Sequence, residues 1–260
     1  MRIGRTSSLA IAYTKLDESN NGDTVRFKDP SASLSLEMEN KEGLDGKTHP
    51  EMKKVGDGSI IVTFDKTPNP QNSKDVVCPH FIELKWANGC NFDCAWCYLN
   101  GTLRFRPMLK KPYLKSPAKI SSHLQAFLAQ WQRPSLLNTG ELSDSLVFEG
   151  NGFSLTNKVI PLFKGQKKHK LLILTKSANI RSLLKSESQD CVITSFSLNS
   201  SSVARRWERK APPPEKRIEA AKKLYNNGYE VRIRIDPMVP IRNWKRDYRE
   251  LVEMIVTNLT

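Results

Sequence analysis

The sequence predicts an α/β protein whose parallel strands form a partial barrel. From residue 81 onward, short apolar stretches alternate with helix-like stretches, which is the pattern of repeated βα units in a parallel sheet. Within two of the apolar stretches, polar and apolar residues alternate with a period of two, so one face of each strand is polar. Residues 1–75 lack sustained periodicity, and we expect them to form a flexible or irregular segment before the barrel domain of residues 76–260.

The barrel domain contains five predicted strands. In chain order they are FIELKWA (81–87), SLLNTG (135–140), KLLILTK (170–176), VITSFSLN (192–199) and YEVRIRID (229–236). Both common architectures of parallel strands place their chemistry at the carboxyl ends of the strands. Residues that directly follow these stretches are therefore the first candidates for a functional site.

The clearest predicted helix is PEKRIEAAKKLYNNG, between the fourth and fifth strands. Pro214 suits the first turn of a helix, an apolar stripe runs from Ile218 to Tyr225, and Gly228 suits the C-terminal cap. The last stretch, YRELVEMIVTNLT, is predicted to be a fifth helix. In the segment before the barrel, only SIIVTF (59–64) is predicted as a strand, and PNPQNSKD (68–75) is a turn-rich linker.

Two strands favour a barrel over a doubly wound sheet. Ser195, Ser197 and Asn199 share one face of the fourth strand, and Arg232 and Arg234 share one face of the fifth. A doubly wound sheet is covered by helices on both faces and is usually continuously apolar. A polar face is therefore expected to line the inside of a barrel that holds a ligand; exposure at a sheet edge is the alternative.

Composition points to a basic protein that attracts polyanions. Lys and Arg number 41 against 27 Asp and Glu, a formal net charge of +14, which favours nucleic acid as a partner and disfavours cationic partners. The chain has no run of about 18 apolar residues, so we expect no membrane segment and a cytoplasmic protein. In the reducing cytoplasm, clustered cysteines are more often metal ligands than disulfides.

Three of the five cysteines lie within eight residues, in GCNFDCAWCY. Cys90, Cys94 and Cys97 follow the first strand, and thiolates suit zinc or an iron–sulfur cluster. Three thiolates can hold three irons of a cubane and leave the fourth iron open to an external ligand. A zinc site that recruits Cys78 as a fourth ligand is the alternative, and Cys191 is expected to be a small buried hydrophobic residue.

The motifs together resemble the spore photoproduct lyase family of radical S-adenosylmethionine (SAM) proteins. The resemblance covers residues 78–250 and is based on the motifs GCNFDCAWCYL, TGELSDSL, LTKS, SFSLN, PPPEKRIEAAKKLYNNGY and RIDPMVP. The resemblance implies a partial (β/α)6 barrel of the radical SAM type, a [4Fe–4S] cluster and SAM. It also implies reductive cleavage of SAM to a 5′-deoxyadenosyl radical that abstracts hydrogen from a substrate, which we expect to be damaged DNA or another nucleic acid. A reductant such as flavodoxin or ferredoxin is expected, and the protein is expected to be a monomer.

The resemblance also assigns roles to residues at the strand ends. Gly140 and Glu141 are similar to the Gly-Gly-Glu element that approaches SAM, with Glu141 as acceptor for the SAM ammonium. Lys176 and Ser197 would contact SAM, and Asn199 is a further candidate hydrogen-bond partner. Tyr98 would lie near the path of the substrate radical. For the stretch after Glu141, the alternative is a purely structural helix N-cap at one of the two polar residues Ser143 and Asp144.

Two departures from the family pattern limit the resemblance. The lyase has a hydrogen-donating cysteine just before its Ser-Asp pair, whereas GELSD here has Glu141 and no thiol. A carboxylate does not readily donate a hydrogen atom, so repair by that route is in doubt. Only five strands are predicted before residue 260, and we expect the sixth βα unit to be missing.

A second function class stays open on sequence grounds. A non-catalytic nucleic-acid-binding module could hold a structural metal at the cysteines. Aromatic residues beside basic ones, Trp207 in RRWERK and Trp244 and Tyr248 in RNWKRDYR, could stack on bases in such a module.

Overall fold

The computed structural model describes residues 34–42, 46–64, 81–150 and 153–259. One eight-stranded sheet dominates it, and a two-stranded sheet lies beside it. The ten strands are β1 Leu36–Glu42, β2 Thr48–Val55, β3 Ile61–Phe64, β4 Phe81–Leu84, β5 Ala87–Asn88, β6 Tyr113–Leu114, β7 Ser135–Asn138, β8 His169–Thr175, β9 Val192–Leu198 and β10 Glu230–Ile235.

Helices connect the strands of the large sheet. They are α1 Leu99–Thr102, α2 Pro117–Gln130, α3 Leu155–Lys158, α4 Ile160–Phe163, α5 Arg181–Leu184, α6 Ser201–Trp207, α7 Pro214–Asn226 and α8 Trp244–Leu259, with a 3₁₀ turn at Gln189–Cys191. The two longest predicted helices are confirmed as α7 and α8; Pro214 lies in the first turn of α7 and Gly228 has a φ of 82° just beyond its end. In the described ranges, no helix is long and apolar enough to cross a membrane.

The predicted parallel strands are confirmed. β4, β7, β8, β9 and β10 are neighbours in that sequence and pair in parallel, as expected for consecutive βα units. Their carboxyl ends therefore meet at one edge of the sheet. The sheet is extended on the other side of β4 by β3, β2 and β1, which are antiparallel.

One face of the parallel strands carries the core. Phe196 and Leu198 of β9 are fully buried, and α7 covers this strand with a buried stripe that includes Ile218 and Leu224. Each such side chain contributes about 1.5–3 kcal/mol through removal of its apolar surface from water. The stripe repeats at helical spacing on α7 and at alternate positions on β9, so the sequence pattern dictates which faces meet.

The opposite face of the sheet is the polar one. The strand register places Glu83, Asn138 and Leu172 side by side, with Ser195 and Arg232 on the same face. Ser195 is buried, whereas the Arg232 side chain is 51% exposed on β10, the edge strand of the described sheet. The polar face is thus enclosed on β9 and open to solvent on β10. For β10, the structure agrees with the alternative prediction, in which the polar face is exposed at the edge of the sheet.

The expectation of an irregular segment over residues 1–75 does not hold for residues 36–42, 48–55 and 61–64, which form strands. SIIVTF is confirmed as a strand, since β3 spans Ile61–Phe64, but β1 and β2 were not predicted. Both strands contain several charged residues and are joined by ion pairs, such as Lys54 with Glu37 at 2.9 Å, so the stretch has the composition of a solvated segment. A few buried residues, among them Met52 and Val55, join it to the main core. The linker predicted at residues 68–75 lies outside the described residues.

Candidate site at the cysteine loop

The three cysteines lie on a loop that leaves the carboxyl edge of β4 and β5. Gly89 begins the loop with a φ of 86°, and a Cβ atom at this position would lie 2.6 Å from the carbonyl oxygens of Lys110 and Lys111. Only glycine fits both the left-handed backbone and the close approach. Position 89 therefore fixes where Cys90 emerges.

The loop turns so that its cysteines lie on the protein side. Cys94 is buried and Cys90 and Cys97 are half-buried, and Asp93 takes a φ of 53° between them. The Cys97 N–H donates to the Cys94 carbonyl at 3.2 Å. Burial raises the pKa of Cys90 to about 12 and that of Cys94 to about 11, so both are neutral thiols at pH 7 and a bound metal must displace their protons.

Backbone pairing joins the loop to the segment after α6. Ala95 donates to the Trp207 carbonyl at 2.9 Å, Lys210 donates to the Phe92 carbonyl at 3.0 Å, and Cys94 forms an antiparallel bridge with Glu208. The backbone of residues 207–210, at and just after the end of α6, thus pairs with the cysteine loop.

A buried ion-pair network lies under this pairing. The Arg217 guanidinium donates to Glu208 Oε2 at 2.5 Å, and Lys176 Nζ lies 2.8 Å from Glu208 Oε1. Arg217 and Glu208 have no exposed side-chain surface, and Arg217 also donates to the carbonyl of Ser197 at 2.9 Å. Lys176 is at the end of β8 as predicted, and its ammonium points toward the segment that supports Cys94.

The end of β7 brings together the two predicted catalytic residues. The Tyr98 hydroxyl donates to the backbone carbonyl of Glu141, and the Asn138 amide donates to Glu141 Oε2 at 3.2 Å. Burial and the neighbouring Glu141 and Glu83 carboxylates raise the pKa of Tyr98, so its phenol keeps its proton. The close approach expected at Gly140 is present, but toward β8: a Cβ atom there would lie 2.5 Å from the Leu174 Cβ.

Ser143 and Asp144 connect three strand ends. Ser143 Oγ donates to the Gly89 carbonyl at 2.8 Å, at the base of the cysteine loop. Asp144 accepts from the Lys176 N–H and the Thr175 hydroxyl, both at 2.7 Å, and from Leu146 N–H at 2.9 Å. Asp144 thus caps the turn that follows it, although no helix begins there, and the same carboxylate fixes the backbone of Lys176.

Ser197 and Asn199, the two predicted hydrogen-bond partners of SAM at the end of β9, differ in their burial and contacts. Ser197 is half-buried on the polar face. Asn199 is fully buried; its amide donates to the Pro237 carbonyl, and its oxygen accepts from the Tyr248 hydroxyl at 2.6 Å. We therefore assign Asn199 a structural role. Tyr248 is 5% exposed and is not a stacking surface, which corrects the expectation for that residue.

Sequence reasoning missed Glu83, Glu208 and Arg217 at this site. Glu83 is buried on the polar face beside Asn138, and its Oε1 has no hydrogen-bond partner within the described residues. Burial is the main cause that raises the pKa of Glu83 to about 7. The sequence did contain a signal for Glu83, because an acidic residue is unusual within an apolar strand. The sequence contained no such signal for Glu208 and Arg217, because both belong to stretches of charged residues that are typical of a solvated surface.

The cysteine loop has the donor set of an iron–sulfur cluster. Within the described ranges, no three Cys, His, Asp or Glu side chains are arranged to hold a single metal ion. Each thiolate of a cubane cluster binds a different iron, so cluster ligands need not converge on one point. The Phe92 N–H donates to the Cys90 sulfur at 3.5 Å, the type of hydrogen bond that adjusts the potential of a bound cluster.

The remaining cysteines do not complete a set of four in the described part of the chain. Cys191 is buried at the amino end of β9, whereas the loop lies at the carboxyl edge, roughly 20 Å away along a seven-residue strand. Cys78, the fourth ligand of the zinc alternative, lies outside the described residues.

Comparison with known proteins gives one consistent family. The family model described as spore photoproduct lyase matches residues 31–260. Spore photoproduct lyase of Clostridium acetobutylicum is 26% identical over 215 residues, which cover 81% of this chain and 61% of that protein. The enzyme of Bacillus subtilis is 26% identical over 213 residues, covering 81% and 60%.

Solved structures of spore photoproduct lyase share the fold. The structure complexed with dinucleoside spore photoproduct has a TM-score of 0.62 and 22% identity, covering 68% of this chain and 52% of that chain. A mutant with bound AdoMet and the same dinucleoside has a TM-score of 0.62 and 22% identity, covering 69% and 52%. The barrel expected from the sequence is thus confirmed as the fold, and the chain spans about 60% of the length of the curated relatives it matches.

Proposed function

The chain belongs to the spore photoproduct lyase family, and we propose that it is a radical SAM enzyme that acts on damaged nucleic acid. One observation carries the proposal: the loop of Cys90, Cys94 and Cys97 lies at the carboxyl edge of the parallel sheet, beside the polar ends of the next strands. This edge is where barrels of parallel strands hold their reactive groups.

The thiolates of Cys90, Cys94 and Cys97 would hold a [4Fe–4S] cluster through three protein ligands, which would leave the fourth iron for SAM. When both are bound, the reduced cluster supplies an electron that cleaves SAM to methionine and a 5′-deoxyadenosyl radical, which abstracts hydrogen from the substrate. The side chains of the protein would position SAM and neutralise its carboxylate. Lys176, which lies 2.8 Å from Glu208, would also face the SAM carboxylate, and Ser197 would offer a hydroxyl on the same polar face.

Glu141 and Tyr98 form the substrate side of the site. The Glu141 carboxylate is held by the Asn138 amide and would accept from the SAM ammonium. Gly140 keeps this turn packed tightly against β8, which fixes the direction of the carboxylate. Tyr98 is 52% exposed, and its hydroxyl donates to the Glu141 carbonyl, so the phenol would be held beside the path of the substrate radical.

The substrate is nucleic acid, in keeping with the net charge of +14 and with relatives that bind dinucleoside spore photoproduct. The final hydrogen donor differs from that of the lyase, because Leu142 stands directly before Ser143. Within the described residues the only cysteines are the three of the loop and Cys191, at the opposite end of β9.

We infer the remaining partners from the chemistry. A low-potential protein such as flavodoxin or ferredoxin supplies the electron, the protein works as a monomer, and the cytoplasm provides the reducing conditions that the cluster needs.

Anaerobic reconstitution with iron and sulfide tests the proposal. We expect about four irons per chain and, with dithionite, release of 5′-deoxyadenosine from SAM. Cys94→Ala should abolish the release. Cys191→Ala is the matched control, since it removes a buried thiol far from the loop, and it should keep the iron content and the release.

Two outcomes would count against the enzyme. One is full 5′-deoxyadenosine release by the Cys94→Ala variant. The other is zinc without sulfide in protein purified without oxygen, which would favour the non-catalytic module with a structural metal.

A further inference from the structure

The chain after the cysteines forms a surface that the proposed chemistry does not use. From Cys94 to Gly140 the sequence contains no Asp or Glu and seven Lys or Arg, four of them within residues 103–111, the segment LRFRPMLKK. We name this segment the basic loop. It follows α1 and precedes β6, so it lies directly beside the cysteine loop.

The tip of the basic loop exposes an aromatic ring among cations. Phe105 is 84% exposed, and the Arg104 guanidinium lies over its ring, 4.5 Å from the centroid. Met108 and Leu109 are also exposed, at 45% and 58%. Large apolar side chains that cluster on the surface indicate a contact with a partner, because water alone disfavours them there.

The basic loop is built rigidly. Leu103 is buried at its start, and three successive turns follow, closed by N–H bonds of Arg106, Leu109 and Lys111 to carbonyls three residues earlier. Its end is joined to the cysteine loop, since Cys90 donates to the Lys110 carbonyl at 2.9 Å. The exposed ring is thus held in place relative to the cluster ligands.

The cations of the basic loop differ in their pairing. Lys110 lies 3.5 Å from Asp93, and Arg106 donates to the Tyr113 hydroxyl. Arg104 and Lys111 have no carboxylate partner within the described part of the chain. Arg104, over the Phe105 ring, and Lys111, at the end of the same segment, are both exposed and available to bind a polyanion.

We propose that the basic loop docks nucleic acid beside the cluster, with a base stacked on Phe105 and phosphates bound by Arg104 and Lys111. The inference rests on the proposed function and names how its substrate is held. An exposed ring among unpaired cations is the combination that binds unstacked bases, since bases offer a π-face and phosphates a negative charge. The stacking guanidinium extends this platform.

Binding of fluorescein-labelled oligothymidylate to the full chain, followed by anisotropy over a series of salt concentrations, tests the proposal. Phe105→Ala should weaken binding roughly tenfold with the same salt slope, because it removes a stacking surface and no charge. Phe105→Trp should restore the affinity. Arg104→Ala with Lys111→Ala should reduce the slope of log K against log salt by about 0.7 for each phosphate that the variant no longer neutralises.

Tyr225→Ala and Lys216→Ala are the matched controls. Both remove exposed side chains of the same kind from α7, and both should bind like the parent. Far-UV circular dichroism and the urea midpoint of each variant check that it is folded. Equal binding by Phe105→Ala and the parent would overturn the proposal, as would a weakening that Tyr225→Ala reproduces.

Two further outcomes are decisive. Polyglutamate that binds as tightly as oligothymidylate, with the same dependence on Phe105, would make the surface a site for acidic protein and would overturn base stacking. SAM cleavage by the parent is measured separately, without DNA. If cleavage fails while Phe105-dependent binding holds, the proposed function fails and the docking surface stands; the reverse result removes only the docking surface.

Discussion

The cysteine loop lies between two segments that differ in burial and in charge pairing. On one side, residues 207–210 pair with it through the backbone, and Glu208 is buried between Arg217 and Lys176. On the other side, the basic loop is joined to it at Cys90, holds Lys110 half-buried beside Asp93, and leaves the Phe105 ring and its other cations exposed. Asp93 contacts both, at 3.8 Å from Arg209 and 3.5 Å from Lys110.

The difference shows how one loop can be both fixed and accessible. Buried charges are costly to desolvate and are retained when each has a partner in a defined geometry, so the Glu208 side holds Cys94 and Lys176 in register. Exposed cations keep their hydration until a polyanion arrives, so the basic loop contributes little to stability and is free to bind.

Removal of the Glu208 carboxylate should have the largest effect. Glu208→Ala leaves Arg217 buried without its partner, and we expect the free energy of unfolding to fall by about 3–5 kcal/mol. Urea unfolding of the metal-free protein measures it. Glu219→Ala is the control, since it breaks an exposed pair with Lys223 at 2.6 Å and should leave the free energy of unfolding nearly unchanged. If the free energy of unfolding fell equally in the two variants, the buried ion pairs of Glu208 would stabilise the protein no more than an exposed pair does.

Glu83 should produce an intermediate, pH-dependent effect, because it is a buried carboxylate without the pairing that Glu208 has. Its pKa is raised from 4.5 to about 7, so its contribution is favourable below pH 4.5 and is lost as the pH rises through 7. We expect the parent to lose roughly 2–3 kcal/mol from this group between pH 5 and pH 8. Glu83→Gln should flatten that slope.

Urea unfolding at both pH values checks the prediction for Glu83. Glu253→Gln, on the exposed side of α8, is the matched control and should keep the slope of the parent. An unchanged slope in Glu83→Gln would mean that the carboxyl finds a partner or water in solution.

Substitutions in the basic loop should have the smallest effect on stability. Phe105→Ala and Arg104→Ala remove exposed atoms, so each should change the free energy of unfolding by about 0.5 kcal/mol or less. Thermal and urea unfolding of these variants and of Glu208→Ala, measured together, compare the contributions of the two sides of the cysteine loop to stability. A decrease above about 2 kcal/mol in either variant would mean that the basic loop is a structural element.

The sequence was sufficient wherever a local pattern decides the structure. The five parallel strands follow from apolar stretches separated by helices, α7 follows from Pro214, its apolar stripe and Gly228, and the cysteine loop follows from residue spacing. These features depend on residues close in the chain, so the pattern is visible without tertiary contacts.

Features that depend on distant partners were not visible. β1 and β2 are strands because a few apolar residues reach a core built elsewhere, while their charges face water. Glu208 and Arg217 are buried because each neutralises the other across two helices, although both stand in charged runs. Asn199 was predicted to face a cofactor, and only the fold shows its bond to Tyr248, 49 residues away.

Electron paramagnetic resonance of the reconstituted, reduced full chain, recorded with and without SAM, tests the central claim most directly. If Cys90, Cys94 and Cys97 leave one iron open, addition of SAM should shift the g-values of the reduced cluster, and Cys94→Ala should give no such signal. A cluster spectrum that stays identical at saturating SAM would mean that all four irons are already ligated by the protein, and would contradict the assignment of this loop as a radical SAM site.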